Sequence, residues 1–165
     1  MKITAQEEYG LRCLLHLARI PQGETLKAPV IAEREGLSSA HVEKLLHTLN
    51  RAGLTTSVRG AQGGYRLARA AQQVTLREAV EALGGVVNTA DICGSQRSGD
   101  RECVHQGGCG IKPVWGLIGR YLSHVFESIT LQDLAEGRLP EHLDTLPRVR
   151  HTMKLHTAIS TDTAG

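Results

Sequence analysis

Apolar residues in the first fifty positions recur with helical rather than strand spacing. Thr4 stands three residues before Glu7, the spacing of a capping box, and behind it Tyr9, Leu11, Leu14, Leu15, Leu17 and Ala18 form a broad apolar stripe. This predicts a helix over about residues 5–19. Pro29 suits the first turn of a short second helix through Val30, Ile31 and Ala32, which Gly36 ends. Ser38 is a good N-cap for a third helix that puts Val42, Leu45, Leu46 and Leu49 on one face and stops at Gly53. Its opposite face carries Ser39, His41, Glu43, Lys44 and His47.

The period then changes. Leu54 to Val58 alternates β-branched and polar residues, a glycine-containing turn follows at 59–64, and Tyr65, Arg66 and Leu67 return, which reads as a small β-hairpin. Thr75 with Glu78 repeats the capping-box spacing and opens a helix through Leu76, Ala79, Val80 and Leu83 that stops at Gly84-Gly85. Residues 86–110, rich in Gly, Ser and Cys, read as a loop. From Pro113 onward, Val114, Leu117, Ile118, Tyr121, Leu122, Val125, Phe126 and Ile129 follow i, i+3, i+4, i+7 spacing, the strongest periodicity in the chain.

The predicted fold class is mainly α with a small β-hairpin wing: a winged helix-turn-helix domain over residues 1–85 and a long dimerisation helix. Between them lies a cysteine-rich segment at 86–110; the long helix and a short following one occupy 111–137, and 138–165, without periodicity, reads as a disordered tail. So continuous an apolar stripe needs a large partner surface, and a homodimer supplies one more economically than the few other helices of the same chain.

Composition sharpens this picture at three points. Aromatic residues make up 3% of the chain, so the core must be aliphatic, which suits helix packing. The N-terminus lacks the pattern of a secretory signal and no long apolar run could span a membrane, so the chain is expected in the cytoplasm with no membrane partner. In that compartment its four cysteines are more naturally reduced ligands or buried thiols than disulfides. Charge adds a weaker hint. Residues 1–70 carry ten Lys/Arg against six Asp/Glu, whereas 71–137 carry five against eight, so the basic excess sits in the N-terminal part.

A short helix, a turn, a capped helix with one polar face and a glycine-rich hairpin form the layout of a winged helix-turn-helix that binds double-stranded DNA. The second helix of the pair enters the major groove with its N-terminal half. Ser38, Ser39, Ala40, His41, Glu43 and Lys44 occupy that half; Lys44 can bind phosphate or guanine, and Glu43 can accept from the exocyclic amine of cytosine. The hairpin tip RGAQGGYR adds Arg59, Gln62, Gly63 and Arg66, with Arg59 suited to the minor groove. Neither a dinucleotide fingerprint, a catalytic triad, an H-E-x-x-H nor a P-loop is present, so no enzyme class is indicated.

Cys93, Cys103 and Cys109 stand at C-x9-C-x5-C among glycines that let the chain bend its thiolates toward one point. Zinc sites favour tighter pairs, whereas iron–sulfur clusters accept longer spans. A fourth ligand is needed, with His105, Glu8, Glu7 and Cys13 as candidates. A zinc site completed by His105, or a metal-free thiol switch tuned by Arg97 and Arg101, stays open. Cys13, inside the first helix, reads as a small buried hydrophobe, and His16, His41 and His47 read as surface or groove-facing residues.

Taken together, MKIT…EYGLRCLLHLA, LSSAHVEKLLHTLNRAGL, RGAQGGYRLAR, TLREAVEALGG and the cysteine loop ahead of the long helix resemble the Rrf-type, IscR/NsrR-like family of bacterial winged-helix regulators, from Met1 to about Gly137. The resemblance implies a homodimer on a pseudo-palindromic operator, with a 2Fe-2S or, less favoured, a 4Fe-4S cluster near the dimer seam. It also implies cytosine readout by Glu43, a wing contact by Arg59, and cluster ligation by Cys93, Cys103 and Cys109. Some members complete the cluster with a carboxylate near the start of the first helix of the other subunit, a position Glu8 matches. The IscR branch uses a histidine three residues after the last cysteine, where this chain has Lys112; Glu8 is therefore the preferred fourth ligand and His105 the runner-up. The implied function is a transcriptional regulator, in the sense of a repressor, sensing redox state, nitric oxide or cluster supply. The alternative is a cluster-free regulator, holding zinc or free thiols, controlled by a partner protein.

Overall fold

The computed structural model describes residues 3–60, 63–85, 110–140 and 143. Helix α1 (Ala5–Ala18) begins at Thr4, whose hydroxyl accepts from the Glu7 backbone N–H while the Glu7 carboxylate takes the Thr4 N–H at 2.6 Å. Helix α2 (Ala28–Glu35) carries Pro29 in its first turn and ends at Gly36, whose φ of +65° is a left-handed conformation that glycine adopts without a side-chain clash. Helix α3 (Ser39–Arg51) is capped by the Ser38 hydroxyl, which accepts from the His41 N–H at 3.3 Å.

The three helices share one aliphatic core. Cys13, Leu14 and Leu17 of α1 meet Ile31 and Ala32 of α2 and Val42, Leu45, Leu46 and Leu49 of α3, all buried. At about 1.5–3 kcal/mol for each large aliphatic side chain taken from water, this seam is the main force that holds α2 and α3 against α1.

Strands β1 (Thr55–Val58) and β2 (Gly64–Leu67) pair antiparallel, with Thr55 opposite Leu67 and Val58 opposite Gly64. The hairpin is also tied to the body at its other edge. Leu26, in the α1–α2 connection, exchanges both backbone hydrogen bonds with Tyr65 at 2.8 Å. A Cβ at Gly64 would stand 2.7 Å from the Leu26 carbonyl oxygen, so this close approach requires glycine there. On β1, the Asn50 side-chain amide donates to the Thr55 carbonyl at 2.8 Å, joining the hairpin to the end of α3.

A 3₁₀ turn (Ala71–Gln73) leads into α4 (Leu76–Ala82), opened by the Thr75–Glu78 capping box. After the cysteine-bearing stretch come the long helix α5 (Lys112–Ser128) and the short α6 (Leu131–Glu136). Their junction is fastened to the domain: the Leu76 N–H donates to the Ile129 carbonyl at 2.8 Å, the Leu131 N–H donates to the Val74 carbonyl at 2.9 Å, and Leu131 is fully buried. Arg77 on α4 adds ion pairs to Glu81 and Glu127.

The predicted helices and hairpin are present, each within one or two residues of the expected ends. The 3₁₀ turn, the Leu26–Tyr65 pairing and a third capping box, Thr130 with Asp133, come from the structure alone. The predicted tail, 138–165, lies outside the described residues except for 138–140 and 143.

Thr130 generates a test. Its hydroxyl and then its backbone N–H donate to Asp133 and hold that carboxyl below its usual range, against the opposing effect of partial burial. A carboxyl that is a stronger acid in the fold stabilises fully above its unfolded value and loses that contribution as the pH falls through the lower folded value. Thr130→Ala is expected to cost about 1 kcal/mol in urea unfolding at neutral pH, the typical worth of an N-cap. The deficit should narrow as the pH falls beneath the ordinary aspartate range and through the lower folded value, as Asp133 becomes protonated in both proteins.

Candidate nucleic-acid interface

The buried face of α3 fixes which side of that helix meets solvent. With Val42, Leu45, Leu46 and Leu49 turned inward, Ser39, Ala40, Glu43, Lys44 and His47 are exposed, and Ser38 is exposed just ahead of them. His41 is half-buried: its ring stands edge-on to that of Tyr9 on α1, with centroids 6.2 Å apart.

The hairpin presents Arg59 exposed beside Gly60, which has a φ of +107°. The Gly63 N–H donates to the Gly60 carbonyl at 2.8 Å, and a Cβ on Gly63 would lie 2.4 Å from the Val58 carbonyl oxygen. The tip is thus so tightly wound that no side chain fits at 63. Gln62 lies outside the described residues. Arg66 points back along the hairpin rather than to its tip: its guanidinium donates to the Thr56 hydroxyl and the Gly23 carbonyl at 3.4 Å each, beside a cavity of about 470 Å³ between the α1–α2 turn and the wing root.

Of the residues considered for metal, Cys93, Cys103, Cys109 and His105 lie outside the described residues. The others are placed. Glu7 is buried and committed to the Thr4 cap. Cys13 is fully buried and its thiol is pushed up to about 12, first by burial and then by the charge of Glu35, so it is protonated and shielded. Glu8 remains half-exposed on α1; both of its contacts with Arg12, at 2.8 Å, fall on Oε1. His16 departs from the surface reading. Its ring nitrogen lies 2.7 Å from Glu35, with both side chains largely covered, because α2 packs across this part of α1. Among the described residues no group of three or more His, Cys, Asp or Glu is arranged to hold a metal ion.

The ends of α1 and α4 are in intimate contact. The Gln6 side-chain amide donates to the Leu83 carbonyl at 2.8 Å, a Cβ on Gly10 would come within 2.3 Å of Leu83 Cδ2, and one on Gly85 within 2.3 Å of Glu7 Oε1. Gly85, the last described residue before the cysteine-bearing stretch, therefore lies beside the first two turns of α1, against Glu7. Arg12, which bridges Glu8 to Glu35, and Tyr9 were not singled out from sequence, although the i, i+4 spacing of Glu8 and Arg12 was readable.

Helix α5 and the residue before it present a partly exposed apolar face. Ile111, Val114, Trp115, Leu117, Ile118 and Tyr121 are between 39% and 62% exposed. None of the helices among the described residues is long and apolar enough to cross a membrane.

A capped helix with one open polar face, braced by a shorter helix and followed by a glycine-wound hairpin, defines a winged helix-turn-helix DNA-binding protein. The model of the family described as "Rrf2: Iron-dependent Transcriptional regulator" matches residues 3–137, and the chain belongs to that family of transcriptional regulators, which are not enzymes. It is 31% identical over 137 residues to the protein rrf2 of Nitratidesulfovibrio vulgaris, covering 81% of this chain and 87% of that one. To an HTH-type transcriptional regulator of Synechocystis it is 34% identical over 134 residues, with the same two coverages. Among solved structures it is similar to CymR, the global cysteine regulator of B. subtilis, with a TM-score of 0.68, 28% identity and coverage of 83% and 98%. It is also similar to IscR of T. potens, with a TM-score of 0.64, 30% identity and coverage of 83% and 88%.

The wing provides a direct test of the interface. Gly63→Ala forces the tip open without touching the core, so helical circular dichroism should be unchanged. DNA affinity, read by fluorescence anisotropy, should fall roughly tenfold, the worth of one groove contact.

Proposed function

We propose that the chain acts as a cytoplasmic homodimer on a pseudo-palindromic operator and that an iron–sulfur cluster held by Cys93, Cys103, Cys109 and Glu8 tunes its grip on DNA. The observation that supports this reading is Glu8 itself, a half-exposed carboxylate paired with Arg12 on a helix that packs directly on α3. Three thiolates and one carboxylate are a donor set suited to iron, and the family description, iron-dependent transcriptional regulator, points the same way.

When bound, such a cluster supplies an iron that can change redox state or react with nitric oxide, and an oxygen ligand is more easily displaced than a thiolate. The chain's own residues supply the transmission. Among the described residues, the Glu8 side chain is held by an exposed ion pair with Arg12, a weak interaction. Arg12 also pairs with Glu35 on α2, so a carboxylate drawn away from Arg12 leaves the α1–α2 link in place. Any shift of α1 is passed to α3 through the shared leucine core. DNA contact itself falls to Ser38, Ser39, Ala40, His41, Glu43 and Lys44 at the start of α3, with Arg59, Gln62 and Gly63 at the wing tip and Arg66 along its side.

The partly exposed apolar face of α5 supports the dimer, since contiguous apolar patches of this kind usually mark a partner surface. A charge at its centre is the natural test: Leu117→Glu should convert the dimer to a monomer by light scattering and weaken operator binding, whereas an unchanged dimer mass would move the interface elsewhere.

The cluster is tested by anaerobic purification. The expected protein is coloured and holds iron and acid-labile sulfide; replacing the three cysteines by serine should remove both and shift DNA affinity by about tenfold or more. Glu8→Ala should lower iron retention. A colourless protein with stoichiometric zinc and His105-dependent binding, or one with neither metal, would instead favour the cluster-free regulator, a reading to which the likeness to the cysteine regulator CymR lends weight.

A further inference from the structure

The first turn of α3 is held differently from the rest of the helix. From Val42 onward, core side chains anchor it at four positions. Ahead of Val42, Ser39 and Ala40 are exposed, and the backbone is held by the Ser38 cap. His41 is the one half-buried side chain of that turn, and the ring it meets is Tyr9. The two rings stand at 87° with centroids 6.2 Å apart, within the range of a favourable edge-to-face pair.

Tyr9 is itself seated with little freedom. It lies on the same turn of α1 as Gly10, which is packed against Leu83, and one turn after Gln6, whose amide is bonded to the Leu83 carbonyl. The Tyr9 ring is thus carried by the part of α1 that is fixed to α4, and it bears on the part of α3 that no core residue controls.

We infer that Tyr9 is a positioning residue for DNA readout: its ring against His41 sets the tilt of the first turn of α3, and with it the placement of Ser39, Ala40, Glu43 and Lys44 against base edges. The inference rests on α3 being the DNA-reading helix. It assigns to a residue away from the DNA surface a share in sequence discrimination as distinct from general affinity.

The test uses the full-length protein. The wild type first selects its own sequence from a randomised duplex library, and binding of the selected duplex and of a scrambled duplex of equal length is then measured for Tyr9→Phe, Tyr9→Leu, His41→Ala and the Tyr9→Leu/His41→Ala pair. Tyr9→Phe should match the wild type. Tyr9→Leu should bind the selected duplex about threefold to tenfold more weakly, the scale of one aromatic edge contact, while its binding of the scrambled duplex stays within about twofold. In the double variant the two losses should overlap rather than multiply. Tyr9→Met takes the place of Tyr9→Leu if the latter does not reach the wild-type circular dichroism. Equal loss on both duplexes, losses that multiply, or no loss at all would overturn the inference and leave Tyr9 a packing residue. A wild type that enriches no sequence would remove the DNA-reading assignment itself, an outcome separate from any difference among the variants.

Discussion

The close seating of α1 against α3 on one side and the end of α4 on the other governs where every functional element stands. Its buried face, Cys13, Leu14 and Leu17, meets the leucines of α3, and its N-terminal turns meet Leu83 and Gly85 so closely that a Cβ at 10 or 85 would crowd Leu83 or Glu7. The helix against which the end of α4 is seated is therefore also the one on which α3 rests. A bulky aliphatic seam of this kind is stiff, because close-packed interiors transmit displacement rather than absorb it.

The helices and the hairpin were legible because their signals are local. Capping boxes at Thr4 and Thr75, the Ser38 cap, Gly36 after α2 and the i, i+3, i+4 stripe of α5 all act within a few residues of where they are read. The Leu26–Tyr65 pairing was not legible, since it joins residues far apart in the chain through backbone groups that carry no sequence mark. His16 shows the same limit for a side chain. Its position on α1 gave no sign that Glu35 would come across to meet it.

For the candidate site the division is similar. The exposed face of α3 followed directly from its apolar period, and the glycine-containing turn read at 59–64 lies between the two strands. What the pattern could not convey is that Arg66 folds back toward Thr56 and Gly23, away from the neighbouring tip. Two arginines seven residues apart on one hairpin thus occupy different surroundings: Arg59 is free to reach outward, while Arg66 helps fix the angle at which the wing leaves the body.

Cys13 carries a further consequence. A thiol that ionises only near pH 12, with no exposed surface, is withheld from alkylating reagents, peroxides and disulfide partners for as long as the native fold persists. The appearance of a reactive sulfur at position 13 would therefore report unfolding of the helical core rather than a signalling event.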